Sequence, residues 1–245
     1  MQTNDYLISF VLGTRPEAIK MAPLIWEFKR SEKVKIKIIL SGQHDEMVKP
    51  VMDLFELKED INLNILKRSI SLDQSISLIL SDLSQLFDTQ KPDIVFVQGD
   101  TITAFAGALA SFFKKIPVAH VEAGLRTKSI YSPFPEEANR RMISQITSLH
   151  FPPTKVAFEN LRNNGIYKDV FISGNTVVDA LNFASKKINY SHIKNINIYK
   201  ESYILITVHR RENWGEPIRN IAKGISNIAS KNNNLKFLIP MHRNP

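Results

Sequence analysis

The chain has 245 residues, a net charge of +8 and no cysteine. The length suits one or two domains, and the 43% hydrophobic content can fill a core. Without cysteine, disulfides, thiolate metal ligands and a cysteine nucleophile are excluded, and no H-E-x-x-H pattern suggests a zinc site, so we expect no metal. No apolar run is long enough to span a membrane and the start lacks a signal-peptide pattern, so we expect a cytoplasmic protein. Part of the positive charge lies in the lysine-rich residues 186–189 and 194–197, which favours a solvated surface over a nucleic-acid partner.

The hydrophobic pattern predicts strands and helices in alternation along most of the chain. Strands are predicted over residues 6–12, 34–40, 94–97, 118–121, 149–151 and 170–172. Helices are predicted over residues 17–30, 72–89, 102–114, 136–148, 155–164 and 177–188. Because the strands are nearly all apolar, they are typical of a parallel sheet covered on both faces. The expected fold class is therefore α/β, with a doubly wound, Rossmann-like parallel sheet.

The C-terminal part of the chain predicts a second, incomplete α/β unit. Residues 1–188 form the first predicted domain, and the polar, Lys- and Asn-rich residues 189–200 read as a linker. Residues 201–245 follow, with strands predicted at 203–208 and 235–240 and a helix between them. Two strands and one helix leave sheet edges and an apolar face uncovered, so they do not make a self-sufficient domain.

Five polar segments mark the candidate functional site. They are GTRPE (13–17), QGDT (98–101), HVEAGLRT (120–127), PEEANR (135–140) and HRREN (209–213). Four of the five follow a predicted strand. Because parallel strands end at the same edge of a sheet, we expect these side chains to converge in one cleft.

The GTRPE segment is a candidate anion site. Pro16 pushes Arg15 toward an extended conformation, and the helix that follows presents N–H donors at its start. The alternative is a well-capped turn in which Glu17 complements the helix dipole. The segment matches neither the G-x-G-x-x-G dinucleotide fingerprint nor the P-loop.

Carboxylates follow two neighbouring predicted strands. Asp100 taken alone reads as the N-cap of the next helix, but Glu122 ends the adjacent strand. Two carboxylates in one crevice raise at least one pKa toward the range useful for proton transfer. The start of the next helix offers a third acid, and spacing favours Glu136 over Glu137. His209 shares its loop with Arg210 and a second arginine, and a diphosphate would fit that group.

Seven segments together resemble the non-hydrolysing UDP-N-acetylglucosamine 2-epimerase family. They are GTRPEAIKMAPL, SGQHDEM, QGDT, HVEAGLRT, PEEANR, GNTVVDAL and HRREN, in this order along nearly the whole chain. The resemblance implies two Rossmann-like domains in the GT-B arrangement, with the active site in the cleft between them and no cofactor. It implies interconversion of UDP-N-acetylglucosamine and UDP-N-acetylmannosamine, in which UDP is eliminated to leave 2-acetamidoglucal and then adds back.

The resemblance also assigns expected roles to individual residues. The residues expected to bind the substrate are Arg15, Lys20, Arg140 and Arg210. The residues expected to carry out acid/base chemistry are Asp100, Glu122 and Glu136. The catalytic His209 is expected to lie near the diphosphate. Which carboxylate takes the proton is left open. Expected partners are UDP-N-acetylglucosamine, UDP and a second copy in a homodimer, with the product serving surface polysaccharide synthesis.

Two alternatives remain at this point. Family members continue past residue 245 with an S-G-G loop that holds the nucleotide, so this chain is expected to be weakly active, or to be a silent nucleotide-sugar-binding module. A hydrolysing relative, which releases free N-acetylmannosamine and UDP, would use the same elimination step.

Overall fold

The computed structural model describes residues 6–42, 45–65, 71–187, 202–208 and 214–240. These residues fall into two compact units, divided between Lys187 and Ile188. The predicted linker, residues 189–200, lies outside the described residues.

The first unit is a six-stranded sheet with helices between the strands. The strands are β1 (Tyr6–Leu12), β2 (Val34–Leu40), β3 (Ile61–Asn62), β4 (Ile94–Gln98), β5 (Val118–Val121) and β6 (Leu149–Phe151). The helices are α1 (Arg15–Lys29), α2 (Asp45–Leu54), α3 (Leu72–Thr89), α4 (Ile102–Phe113), α5 (Glu136–Ile146), α6 (Lys155–Asn163) and α7 (Val177–Lys187). The strand order is β3-β2-β1-β4-β5-β6 and every pairing is parallel. The predicted doubly wound parallel sheet is confirmed.

Both faces of the sheet are buried, which explains the apolar strands. In β1 the five residues from Ile8 to Leu12 are all buried. Phe10 and Leu12 belong to one apolar cluster with residues of α1 and α2, whereas Val11 belongs to a second cluster with residues of α3 and α4. Neighbouring residues therefore point to opposite, covered faces, as the pleat of a strand requires.

Helix α4 packs closely against the sheet at Gly107, and its sequence, ITAFAGALASFF, is rich in small residues. A Cβ atom at Gly107 would lie 3.2 Å from Val11 Cγ1 and 3.3 Å from Val97 Cγ1. At Gly107, the backbone of α4 itself therefore packs against the side chains of the strands, with little room for a larger residue.

The strand order reverses between β1 and β4, which lie side by side. The chain leaves β1 through α1 toward β2 on one side, and leaves β4 through α4 toward β5 on the other. The loops after these two strands diverge at their carboxyl ends, and a crevice of this kind is the usual ligand site of an open α/β sheet.

The pattern missed two elements, and one predicted strand is shorter than expected. Helix α2 and the short β3 were not predicted. The predicted strand at 170–172 is reduced to a single bridge between Val170 and His150, and Phe171 and Ile172 are each 53% exposed.

The second unit contains two parallel strands and one helix. They are β7 (Tyr203–Leu205), α8 (Glu216–Lys231) and β8 (Lys236–Leu238). No residue of α8 is buried. Across the described ranges, no helix is both long and apolar enough to cross a membrane.

Candidate active site

Asp100 lies in the turn after β4, two residues past the end of the strand, and pairs with an arginine of α5. Its Oδ2 lies 2.5 Å from Arg140 Nη2, and its backbone carbonyl accepts a hydrogen bond from Asn139 Nδ2 at 2.9 Å. The expectation that Asp100 caps α4 was wrong, because Thr101 is the N-cap and its Oγ1 accepts from Ala104 N at 3.0 Å. The carboxylate of Asp100 thus faces Arg140 rather than its own helix.

The environment of Asp100 raises its pKa above that of an exposed aspartate. Burial raises the pKa of this carboxyl group, and the nearby charges of Glu136 and Glu122 raise it further, while Arg140 opposes the shift. Asp100 therefore lies within electrostatic reach of both other predicted acid/base carboxylates.

Glu122 directly follows β5 and accepts hydrogen bonds from three other parts of the fold. Its Oε2 accepts from Lys20 Nζ of α1 at 2.5 Å and also from Gln98 Nε2 at the end of β4. Its Oε1 accepts from Asn175 Nδ2, just before α7, at 2.8 Å. Glu122 itself has a φ of 62°, in the left-handed region, which is uncommon for a residue with a side chain. Both oxygens of Glu122 are therefore held in fixed positions.

The two acids at the start of α5 have different surroundings. Glu137 is fully buried, with Oε1 2.7 Å from Arg141 Nε and Oε2 accepting from Thr127 N at 3.0 Å. Glu136 is half-buried, and among the described residues its buried Oε2 has no hydrogen-bond partner. Glu137 thus holds the local structure, whereas one oxygen of Glu136 is buried without a partner among the described residues.

The loop after β1 is organised by Glu17. This fully buried carboxylate accepts from Gly13 N at 2.9 Å, from Thr14 N at 2.6 Å and from Thr101 Oγ1 at 2.6 Å. Burial raises the pKa of Glu17, and these hydrogen bonds oppose the rise. These hydrogen bonds occupy the N–H groups of Gly13 and Thr14. The expected anion site at the start of α1 stays a prediction. Arg15 is exposed.

His120, the residue before the end of β5, supports the turn that carries Asp100. It is fully buried, and its Nε2 lies 2.6 Å from Gly99 O. Burial lowers the pKa of His120 to about 3, so the ring is neutral and donates Nε2–H to that carbonyl. The other predicted histidine, His209, lies with Arg210 outside the described residues.

Four polar residues of this region were not predicted as site residues: Glu17, Gln98, Glu137 and Asn175. Gln98 and Asn175 belong to the QGDT and GNTVVDAL segments, so their motifs were visible. Their contact with Glu122 spans 24 and 53 residues of sequence and could not be seen in either motif.

Comparison with known proteins gives the same family that the seven sequence segments resemble. A family model described as UDP-N-acetylglucosamine 2-epimerase matches residues 26–245. A UDP-N-acetylglucosamine 2-epimerase of Neisseria meningitidis is 46% identical over 243 residues, which cover 96% of this chain and 65% of that protein. One of Bacillus subtilis is 46% identical over 236 residues, covering 96% of this chain and 62% of that protein. The chain thus spans less than two thirds of the length of these relatives.

Solved structures show the same similarity. The crystal structure of UDP-GlcNAc 2-epimerase from N. meningitidis bound to UDP-GlcNAc superposes with a TM-score of 0.90 at 45% identity. The superposition covers 98% of this chain and 67% of that chain.

Proposed function

Since the chain belongs to the UDP-N-acetylglucosamine 2-epimerase family, we propose that it interconverts UDP-N-acetylglucosamine and UDP-N-acetylmannosamine. The reaction removes the C2 proton and breaks the C1–O bond to UDP, which leaves 2-acetamidoglucal. UDP then adds back at C1 and a proton at C2, with the configuration at C2 inverted. The observation that carries this proposal is that three carboxylates are brought to one edge of the sheet. Glu122, after β5, accepts a hydrogen bond from Gln98 at the end of β4, and Asp100, two residues after Gln98, pairs with Arg140 of α5. The third, Glu136, is the first residue of α5.

The chemistry of the two bonds explains why this group of side chains suits the reaction. The proton at C2 is only weakly acidic, so its removal needs a carboxylate held in position. The departing diphosphate gains negative charge, which cations stabilise. The residues proposed to bind the substrate are Arg15, Lys20 and Arg140. His209 and Arg210, which lie outside the described residues, are proposed to bind it as well.

Asp100 is proposed as the carboxyl group that gains and loses the C2 proton. Its raised pKa gives it a higher proton affinity than an exposed aspartate. Glu136, whose buried Oε2 has no hydrogen-bond partner among the described residues, is proposed to exchange a proton on the opposite face of the sugar. Glu122, fixed by three donors, is proposed to orient the substrate and to hold Lys20 at the site.

Further properties are part of the same proposal. The enzyme is proposed to act in the cytoplasm as a homodimer and to supply a precursor of surface polysaccharide. The hydrolysing reaction and the silent binding module are less favoured, because the relatives from N. meningitidis and B. subtilis carry the name of the epimerase.

Proton NMR of UDP-N-acetylglucosamine with this chain in deuterated water tests the proposal. Deuterium at C2 together with the anomeric signal of UDP-N-acetylmannosamine is the expected result. UDP with free sugar would assign the hydrolysing reaction instead, and the absence of both exchange and new species would contradict activity of this 245-residue chain.

A further inference from the structure

We propose that Glu17 is a positioning residue that fixes the spacing between the β1–α1 loop, which carries Arg15, and the β4–α4 turn, which carries Asp100. The consequence for catalysis rests on the proposed function. Glu17 itself faces protein groups on both of its oxygens and is fully buried.

The first step is that Glu17 bridges the point where the strand order reverses. Its Oε2 binds the N–H groups of Gly13 and Thr14 in its own loop. Its Oε1 accepts from Thr101, a residue of the neighbouring loop 84 positions away. In an open α/β sheet these two loops diverge, so a group that joins them sets the width of the crevice.

The second step is that the bridge reaches the start of α4. Thr101 Oγ1 donates to Glu17 and accepts from Ala104 N at 3.0 Å. The helix, the hydroxyl group and the carboxylate therefore form one continuous chain of hydrogen bonds. Asp100 lies directly before Thr101, so a shift of this chain moves the carboxylate proposed to take the proton.

The third step is that an ordinary helix-start role does not explain the burial. An acidic residue complements the helix dipole while it remains in water. Burying a carboxylate costs free energy unless hydrogen bonds compensate it, and Glu17 receives three at 2.6–2.9 Å. The compensation depends on both loops being in place.

Amide hydrogen exchange of the 245-residue chain tests the bridge without any need for activity. Glu17→Ala is expected to speed exchange at Gly13 and Thr14 about ten- to a hundred-fold, since hydrogen bonds to a charged acceptor are lost. Thr101→Val should speed the same amides although it does not touch them. Glu17→Gln should change them only a few-fold, because its oxygen can accept both N–H groups while its amide donates to Thr101.

Thr154→Val is the matched control. Thr154 caps α6 as Thr101 caps α4, accepting from Ala157 N at 3.2 Å, but it has no contact with Glu17. If the amide exchange rates of Gly13 and Thr14 are the same in Thr101→Val as in Thr154→Val, the proposal that Glu17 joins the two loops is refuted.

Kinetics then separate positioning from simple stability. Glu17→Ala is expected to lower kcat for C2 exchange about ten- to a hundred-fold with a smaller change in KM, and Glu17→Gln should restore most of it. Wild-type kcat in Glu17→Ala would overturn the positioning role. If the wild-type chain itself shows no C2 exchange, the proposed function fails, and hydrogen exchange still decides whether Glu17 joins the loops.

Discussion

Replacing Glu122 with glutamine is expected to destabilise the first unit, although the two side chains have nearly the same size. Every group on this carboxylate is a donor: Lys20 Nζ, Gln98 Nε2 and Asn175 Nδ2. An amide has one acceptor oxygen, so either orientation directs an N–H group at a donor. Asn175 cannot simply reverse, because its Oδ1 accepts from Val177 N at 3.0 Å.

The size of the loss follows from the number and exposure of these contacts. A hydrogen bond to a charged group contributes a net stabilisation of about 1.5–3 kcal/mol. The side chains of Lys20 and Glu122 are 21% and 13% exposed, so solvent screens the pair and the lower part of that range applies. We expect Glu122→Gln to cost about 2 kcal/mol, which lowers Tm by roughly 4–8 °C in a domain of this size.

Urea unfolding of Glu122→Gln beside Glu27→Gln provides the assay. Glu27 pairs with Arg30 at 3.1 Å, but both side chains are largely exposed, at 75% and 77%, so its loss should be below about 1 kcal/mol. In an Asn175→Ala background, Glu122→Gln should cost less, since one opposing donor is gone. Equal losses for Glu122→Gln and Glu27→Gln would refute the reasoning.

Stability and activity at other positions can be tested in the same way. In urea unfolding, Gly124→Ala is expected to lower stability by about 2 kcal/mol more than Gly165→Ala. The two positions would impose similar backbone strain on an alanine, with φ of +84° and +83°. Only the new Cβ at position 124 would clash with backbone, since it would lie 2.2 Å from a carbonyl oxygen of α6. Similar losses would contradict this. As the pH falls below 6.5, the unfolded His120 ring gains a proton that the folded ring, with a pKa of about 3, does not take. The contribution of His120 should therefore lower the free energy of unfolding by about 1.4 kcal/mol between pH 7.5 and pH 5.5. In His120→Asn, the free energy of unfolding should depend less steeply on pH. Asp100→Asn should slow deuterium exchange at the substrate's C2 by about 10²–10⁴-fold, whereas Asp88→Asn on the exposed surface should not; an unchanged rate would exclude Asp100 from proton transfer.

The sheet could be predicted from the sequence because its strands are buried on both faces. The seven residues of β1 and of β2 were predicted with their observed bounds, since short segments rich in apolar residues are typical of strands in a covered sheet. Helix α2 was missed because Pro50 interrupts its pattern, and β3 is only two residues long. Residues 170–172 do lie beside the edge strand β6, where Phe171 N donates to His150 O at 2.9 Å, but only a single bridge forms. The apolar pattern does not specify how far such pairing extends.

The site could be predicted only in part, because its residues meet through the order of the strands. The ends of parallel strands share one edge, so the approach of Asp100 to Glu122 follows from the fold class. The bond from Thr101 to Glu17 requires that β1 lies beside β4, and the bond from Asn175 to Glu122 requires the return of the chain before α7. Apolar patterns do not specify either arrangement.

The small residues of α4 also bear on how this protein can change during evolution. Four alanines of this helix are fully buried, and Gly107 lies almost in contact with two strands. A larger side chain on that face would lift the helix from the sheet and carry Thr101 with it. Sequence change is therefore expected mainly in the loops, while the tight packing of α4 keeps Thr101 and the preceding Asp100 in place.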